Sequence, residues 1–599
     1  MKASDCILVL ASNRKHVQQA IKISLTSHAV IMALNLDTEY YLRSRVENYD
    51  NSIYDFLDNS STLSQFQYIR DNFDTSYNWY KDPTNHQSEQ QGDNAFKEND
   101  FYRYIRDRFG YFLVEFERSL NFAQNVIVKL KPKRIYIPQP HNYKGSSVMS
   151  GTLKPAALFI LAKSQKIQIS IFENDSINSP LRMRVGQLLR QVRSLNKQVT
   201  REECELLILA NPRHLIAMNL LITILSNNFK TKILTYNVTT DTKRKLDSLY
   251  GDYLEKERFF GVDLMVKLRR VKNNTKNYKH WNKLTINKYI NQPLAFKFIK
   301  DKLKRIIDEE ADEIIKDYLL ANKVMSQLKP KILITTTDPD SKILPYVDKA
   351  NQLGISTINI QHGAFFSVDP PTNVPESQYF ITWSRLTKLA LTGNKYFKKV
   401  KMFEWQSPFH SIPHQSNYLV KRRDFRVLIL TAIYIVDVNM RDYYYKALFE
   451  SLSKVRSKIE IVVRTKSFQD PISLSALSAD NRLNVRLDDN LDLHESIRWA
   501  DIVIFENTTA GLDAMLLGKP AVYFNPYWGN DFFGLAKYKA AVTILNKNDL
   551  NKIVNFLNNR SIWPEYSRRG NKFAKEYFGL NVNDKYKEIV NILKKVIIN

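Results

Sequence analysis

Residues 500–524 read ADIVIFENTTAGLDAMLLGKPAVYF, and this stretch predicts the fold of the chain. The apolar run 501–505 is typical of a short buried strand, and 521–524 is typical of a second one. Between them, 510–517 has the composition of a helix, which Gly518 ends. A strand, a helix and a strand joined this closely form a βαβ unit, so we expect a parallel sheet.

The start of that helix is a candidate phosphate site. Free N–H groups and the helix dipole attract anions to a helix N-terminus. Thr508 and Thr509 offer hydroxyls there, and Gly511 allows a ligand to approach closely. Glu506 precedes them at the strand end. An ordinary capped helix that binds nothing fits the same residues equally well.

A histidine follows another predicted strand. The apolar run 355–360 leads directly into Gln361, His362 and Gly363. Enzymes with parallel sheets place reactive groups at the carboxyl ends of strands. His362 is therefore a candidate general base, because imidazole titrates near neutral pH. The alternative is a histidine that only stabilises its own loop.

Other polar residues occupy equivalent strand ends. Asp338 and Asp340 follow the predicted strand 331–334 and are the next candidates for the base. His141 follows the predicted strand 134–138 and is a candidate for an acceptor site. The alternative is that these are ordinary loop residues without a functional role.

Several segments resemble one family of enzymes. GISTINIQHG (354–363) and VPESQYFITWSRLTKLALTGNKYFKKV (374–400) resemble bacterial surface-polysaccharide, or capsule, transferases of the GT-B type and the related teichoic-acid glycerophosphotransferases. The stretch 500–524 and RRGNKFAKEYFGLNVNDKYKEIVNIL (568–593) are similar to the same group. The resemblance covers roughly 330–599.

The resemblance implies an α/β protein with two Rossmann-like domains facing a cleft, here with an enlarged N-terminal half that contains helical insertions. We expect an acceptor-side region over 1–415 with a sub-boundary near 200. A nucleotide-binding domain over 422–580 and a C-terminal helix over 581–599 should follow.

The function implied by the resemblance is transfer of a sugar from a nucleotide-activated donor to a growing surface glycan. His362 would be the base, with Gln361, Gly363 and His141 on the acceptor side. Thr508, Thr509 and Gly511 would hold the donor phosphate, and Glu506 would bind the ribose. The resemblance requires no metal and no further cofactor, and the partners are the donor and a glycan or lipid-linked glycan.

One departure from the family affects the donor site. Many relatives carry a His-Pro pair after the strand that corresponds to 459–463, whereas this chain has Arg464 and Lys466. These two cations can still neutralise phosphate charge. A solvated loop is the alternative in so basic a chain.

Other functions stay open at this point. A polyol-phosphate transferase or a nucleotide-sugar epimerase would use a similar cleft. From another class, a basic protein without catalysis could bind nucleic acid or anionic lipid. Neither an RNA-binding motif nor zinc-finger spacing occurs, so we expect no nucleic acid.

Composition fits a large cytoplasmic enzyme. With 599 residues, the chain is long enough for two to four domains. The sequence suggests no transmembrane helix, no signal peptide and, with 2 cysteines, no disulfide framework. The net charge of +27 can attract an anionic membrane surface, or can reflect compositional bias alone. No internal repeat is apparent.

Overall fold

The computed structural model describes most of the chain as parallel α/β structure. The described residues lie within 6–45, 112–138, 153–172, 202–259, 293–364, 375–411, 424–465, 483–580 and 586–598, with short gaps inside several of these ranges. They form three β-sheets that follow one another along the chain.

The first sheet is the smallest. Its strands are β1 (Ile7–Ala11), β2 (Ala29–Ala33), β3 (Arg134–Pro138) and β4 (Gln168–Phe172). They lie in the order β2-β1-β3-β4, and every pair is parallel. Helix α1 (Arg14–Thr26) follows β1, and α2 (Leu153–Ser164) precedes β4.

The second sheet has seven strands, all parallel to their neighbours. The strands are β5 (Leu206–Leu209), β6 (Thr231–Thr235), β7 (Leu254–Glu255), β8 (Ile332–Thr335), β9 (Ser356–Ile360), β10 (Tyr379–Thr382) and β11 (Lys401–Glu404). The helices are α3 (Pro212–Ala217), α4 (Asn219–Asn228), α5 (Thr240–Tyr250), α6 (Pro293–Leu328), α7 (Leu344–Gln352) and α8 (Arg385–Thr392). The spatial order is β11-β10-β9-β8-β5-β6-β7. The order reverses between β5 and β8, which is where doubly wound sheets bind ligands.

The third sheet has the order β14-β13-β12-β15-β16-β17 and is again parallel. Its strands are β12 (Phe425–Leu430), β13 (Ile459–Arg464), β14 (Asn484–Leu487), β15 (Ile502–Phe505), β16 (Ala521–Phe524) and β17 (Val542–Ile544). Its helices are α9 (Val438–Leu452), α10 (Leu493–Trp499), α11 (Thr509–Leu516), α12 (Leu535–Tyr538), α13 (Leu550–Asn558) and α14 (Trp563–Tyr577). This is the Rossmann strand order, and it reverses between β12 and β15.

Helix α6 connects the first two sheets. Its 36 residues span ~54 Å at ~1.5 Å per residue. Near its start, Phe298 stacks on Phe116, with ring centroids 5.1 Å apart, and Phe116 lies in an apolar core that includes residues of the first and third sheets. Near its end, Val324 and Leu328 pack in the core of the second sheet. One helix therefore supports both sheets.

The last helix, α15 (Tyr586–Ile598), returns from the third sheet to the second. Its residues Ile589 and Leu593 belong to the same apolar core as β5 and α4. The chain crosses at Gly579, where φ is +72°. A Cβ there would lie 2.1 Å from the carbonyl oxygen of Trp383 and 2.8 Å from that of Trp405. Glycine is therefore required for this close approach.

The predicted parallel α/β class with Rossmann-like units is confirmed. The second and third sheets, joined by the returning α15, give the two-unit arrangement of a GT-B-like fold. The structure adds one sheet to this pair, the first sheet, which belongs to the enlarged N-terminal half. The expected boundary at 415–422 lies outside the described residues. Among the helices that can be searched, none is long and apolar enough to cross a membrane.

Candidate functional site

The loop after β9 presents His362 and is held by the side chain of Gln361. The Gln361 amide donates to the carbonyl oxygen of Gly363 at 2.9 Å, and its oxygen accepts from the backbone N–H of Trp383, also at 2.9 Å. The indole N–H of Trp383 donates to the Gln361 carbonyl at 2.6 Å. Gln361 and Trp383 are fully buried, whereas His362 is partly exposed. Gln361 therefore fixes the position of its neighbour.

His362 lies against the residue that follows β8. Its imidazole forms a hydrogen bond with the backbone of Thr336, which favours the protonated ring. Burial has the larger effect and lowers the pKa of His362 to about 4. The ring is therefore neutral at neutral pH, which is the form that can accept a proton.

A second histidine, His214, belongs to the same group and was not identified from the sequence. It follows β5, and the side chain of Asn211 accepts its backbone N–H at 2.9 Å to start α3. Its Nδ1 lies 2.7 Å from the hydroxyl of Thr336, and its ring centroid lies 5.1 Å from that of His362. Burial, with the nearby His362 and Arg213, lowers the pKa of His214 to about 3. The signal in the sequence was the one used for His362, a histidine just after an apolar strand.

Asp340 lies at the same edge of the sheet and holds local structure. Its carboxylate accepts the backbone N–H of Lys342 at 3.0 Å and the hydroxyl of Tyr236, after β6, at 3.3 Å. Asp338 lies outside the described residues.

A buried ion pair lies next to this tyrosine. The ammonium of Lys256 lies 5.4 Å from the Tyr236 ring centroid and 2.5 Å from the carboxylate of Asp317 on α6. Lys256 and Asp317 are 2% and 1% exposed, so neither charge has water to stabilise it. Burial raises the pKa of Asp317 to about 6 even beside Lys256. The pair joins α6 to the turn after β7.

At the edge of the third sheet, the carboxylate of Glu506 is buried and hydrogen-bonded. It accepts the backbone N–H of Ala432, after β12, and the hydroxyl of Tyr445 on α9 at 2.9 Å. These bonds connect β12 and β15 at the point where the strand order reverses. Glu506 thus holds the ends of β12 and β15 together with α9.

The residues of the predicted phosphate site lie at the start of α11. Thr508 is the N-cap of α11 and its oxygen accepts the N–H of Ala510 at 3.4 Å, while Thr509 is partly exposed. A Cβ on Gly511 would lie 1.9 Å from the ring of Phe505. Packing of α11 on its own strand therefore accounts for this glycine.

Arg464 ends β13 and is already paired. Its guanidinium lies 2.7 Å from the Asp488 carboxylate and 3.1 Å from the Ser496 hydroxyl. Ser496 also donates to Asp488 at 2.6 Å. Lys466 and His141 lie outside the described residues.

The segment 405–411, here called the junction segment, contacts both His214 and helix α11. The Phe409 ring lies 5.5 Å from that of His214, centroid to centroid. The next residue, His410, has its Nε2 3.4 Å from a carboxylate oxygen of Asp513 on α11. The hydroxyl of Ser407 lies 2.5 Å from the other ring nitrogen of His410.

Burial favours the neutral forms of both His410 and Asp513. It raises the pKa of Asp513 to about 7, and it lowers the pKa of His410 to about 3, with a smaller effect from His494. His410 and Asp513 were also missed by sequence analysis, since nothing local pairs one loop with a distant helix. Among the described residues, no cluster of three or more His, Cys, Asp or Glu side chains has the arrangement of a metal site.

No protein-family model matches the chain, and no curated protein does. Solved structures match at low similarity. UDP-GlcNAc 2-epimerase from Neisseria meningitidis, bound to UDP-GlcNAc, has a TM-score of 0.41 and 13% identity, over 65% of this chain and 99% of that one. MurG from Acinetobacter baumannii has a TM-score of 0.36 and 14% identity, over 65% and 99%. The spinosyn rhamnosyltransferase SpnG, complexed with thymidine diphosphate, has a TM-score of 0.36 and 12% identity, over 65% and 100%.

Proposed function

We propose that this protein is a glycosyltransferase that moves a sugar from a nucleotide-activated donor to a growing surface glycan. The nucleotide would lie on the third sheet and the acceptor on the second.

The contacts of the junction segment are the main support. Phe409 touches His214, which touches His362. The adjacent His410 touches Asp513, on the helix that Thr508 caps. In addition, Ala364, two residues after His362, packs on the apolar core that contains α11. The two strand-end sites thus border one junction, as a reaction between two bound substrates requires.

In this proposal, His362 removes the proton from the acceptor hydroxyl. The oxygen then forms a bond to the anomeric carbon of the donor, and the bond from that carbon to the phosphate oxygen breaks. The nucleotide leaves with the electron pair. His214 is a positioning residue, since it holds the Thr336 hydroxyl and the face of the His362 ring. Asp340 and Asp338 are the alternative bases.

The leaving phosphate needs positive charge or N–H donors. The start of α11, with Thr508 and Thr509, supplies donors. Arg464 and Lys466 supply charge from the end of β13, and the buried Glu506 keeps the adjacent loops in place. Domain closure would exclude water from the reacting atoms.

A thermal-shift panel of CMP, UDP, GDP and CDP compounds tests the proposal. A nucleotide that binds the folded protein raises its melting temperature by mass action. Stabilisation by one of these nucleotides supports a nucleotide-dependent enzyme. No stabilisation, together with DNA affinity that falls steeply with salt, would favour a nucleic-acid-binding protein.

The helix start gives a specific prediction. Replacing Thr508 and Thr509 together with valine should weaken nucleotide binding, because each hydroxyl can donate to phosphate. A lost hydrogen bond to a charged group is worth roughly 1.5–3 kcal/mol. The single variant Thr509→Ser keeps the hydroxyl and is the matched control. Thr508→Val alone reports the cost of the lost cap, about 0.5–2 kcal/mol of stability. Unchanged affinity of the double variant in calorimetry would remove the assignment.

The charge of +27 gives another prediction. The protein should associate reversibly with vesicles that contain anionic lipid, and rising salt should weaken the association by screening. Flotation at two salt concentrations, with neutral vesicles as the control, measures this. Absence of co-flotation at low salt would leave compositional bias as the explanation of the charge.

A further inference from the structure

The first sheet and part of the second have the same topology. The order β2-β1-β3-β4 matches β6-β5-β8-β9 in chain order and in direction. The pairing register also agrees, because Ile7 lies opposite Arg134 in one sheet and Leu206 lies opposite Ile332 in the other. Many Rossmann-like units share such an order, so topology alone does not establish a duplication.

The turn before the third strand of each unit is nearly identical. Each unit contains Leu-Lys-Pro-Lys at this point, at 130–133 and at 328–331. The first lysine of each, Lys131 or Lys329, has a left-handed backbone, with φ of 44° and 41°. A non-glycine residue rarely adopts that conformation. Each lysine N–H also donates to the carbonyl oxygen four residues earlier, at 2.9 and 3.1 Å.

The turn before the fourth strand agrees as well. Lys166 and Gly354 have φ of 58° and 70°. The next residue in each unit donates its N–H to the carbonyl five residues earlier, and both bonds are 2.9 Å long. The third sheet has a similar turn before β16, where Gly518 has φ of 74°, so the turn at 130–133 and 328–331 is the more specific match.

The loop after the first strand provides the third match. In the first unit, the side chain of Asn13 accepts the N–H of His16 at 2.9 Å. In the second, Asn211 accepts the N–H of His214 at 2.9 Å. Both units therefore begin their first helix with an asparagine cap three residues before a histidine.

We infer that residues 7–172 are an internal duplicate of 206–360, and that this first copy has no counterpart of the proposed base His362. The second part of the inference rests on the function proposed above and follows from the position of His362, two residues after β9. The residue two positions after β4 is Asn174, which cannot act as a base.

The rings around the shared histidine differ in the same sense. His214 lies against His362, with centroids 5.1 Å apart and the planes at 34°. His16 stacks on Phe172 instead, at 5.0 Å and 17°. His16 is 2% exposed and Phe172 6%, whereas His214 is partly exposed. His16 thus packs on an apolar ring, Phe172, which corresponds in the pairing register to Ile360, whereas His214 lies beside a titratable ring.

The duplicate has a structural role in this arrangement. Phe112 and Phe116 lie in the apolar core that the first sheet shares with the third, and both contact Phe298 on α6. The other end of α6 packs on the second sheet. The first copy therefore anchors the helix that leads into β8 and so to Thr336.

Chemical footprinting tests the inference without any substrate. Diethyl pyrocarbonate modifies accessible imidazoles, and mass spectrometry reads each histidine separately. In the folded full-length protein, His214 should react at least ten times faster than His16, while the two rates should converge in denaturant. Equal rates in the folded protein would overturn the assignment of a closed first copy.

Turnover tests the same inference through activity. The variant His16→Phe, which keeps an aromatic ring on Phe172, should retain turnover within about twofold. His214→Gln should lose tenfold or more. A folded His16→Phe protein that loses as much turnover as His214→Gln would overturn the inference that the first copy takes no part in catalysis. If His214→Gln and His362→Ala both kept full turnover, the proposed catalytic site would fail, and footprinting would still decide whether the first copy is closed around His16.

Discussion

Replacing His362 with alanine should lower turnover by roughly 10²–10⁴-fold, the usual contribution of a general base. Donor affinity should change little, because the proposed donor site lies on the third sheet. The loop itself should survive, since Gln361 holds it through Gly363 and Trp383. Turnover, donor affinity and melting temperature measured on the same variant separate catalysis from folding.

The opposing interpretation makes His362 a stabiliser of its own loop. In that case His362→Ala would lower the melting temperature, and activity would fall only in proportion to unfolding. A folded variant with near-normal turnover would rule out the base. Asp340→Asn and Asp338→Asn would then be the next variants.

The pKa of His362 predicts how activity and stability depend on pH. The pKa of His362 falls from 6.5 to about 4, so its neutral form persists down to about pH 4. The acid limb of kcat/KM should therefore lie well below pH 6.5. Stability should decline over the same interval, because below pH 6.5 the unfolded chain binds protons that the folded protein excludes. Asp513 and Asp317, whose pKa values are raised, act in the opposite sense, so the loss of stability between pH 7 and pH 5, measured by denaturant titration, is compared between the unmodified protein and His362→Gln. An equal loss in both proteins would contradict the contribution of His362.

Gly579→Ala should destabilise the protein strongly. A left-handed alanine costs ~1–2 kcal/mol, and overpacking against fixed atoms adds about 1–3 kcal/mol. The fixed atoms are the carbonyl oxygens of Trp383 and Trp405, which follow β10 and β11 of the second sheet. The chain cannot move away easily, since the backbone of Ser407 donates to Phe578 at 2.9 Å.

Gly354→Ala is the matched control. Gly354 has φ of +70°, yet a Cβ there would meet nothing within 4 Å. It should therefore lose only the conformational contribution. Calorimetry on both variants isolates the close approach at the crossing, and limited proteolysis reports release of α15. Equal losses of stability would show that the crossing tolerates a side chain.

The local structure of the third sheet could be predicted from the sequence. In 500–524, the expected strand, helix and strand are β15, α11 and β16, with ends that differ by at most one residue. Apolar runs and a terminal glycine determine these elements locally. Gly511 is different, since its neighbour is a ring of the preceding strand that no local pattern reveals.

The site was only half visible in the sequence. His362 was found because it follows an apolar strand. Its contact with His214 depends on β5 lying beside β8, and the strand order that brings them together is a property of the whole sheet. The contact of His410 with Asp513 likewise needs two units to pack. The roles of Thr508, Thr509 and Arg464 stay predictions.

The internal repeat could not be predicted from the sequence, for a related reason. The two copies share a four-residue turn and an asparagine cap, which lie the same number of residues apart in each copy, but both identical segments are short. Backbone conformation, such as that of Lys131 and Lys329, is what makes the correspondence apparent. Lysine gives no hint of a left-handed backbone in a sequence.

The return of α15 determines when the second sheet can be completed during synthesis. Its residues cover the apolar side of α4, where Leu221 and Leu225 lie. The ribosome synthesises α4 long before α15. The apolar side of α4 is therefore exposed in the nascent chain while the third sheet is being synthesised. Domains usually fold in the order of translation, and exposed apolar surface invites aggregation. A premature stop after α14 would therefore leave the apolar side of α4 uncovered, and we expect chaperone dependence to last until α15 has been synthesised.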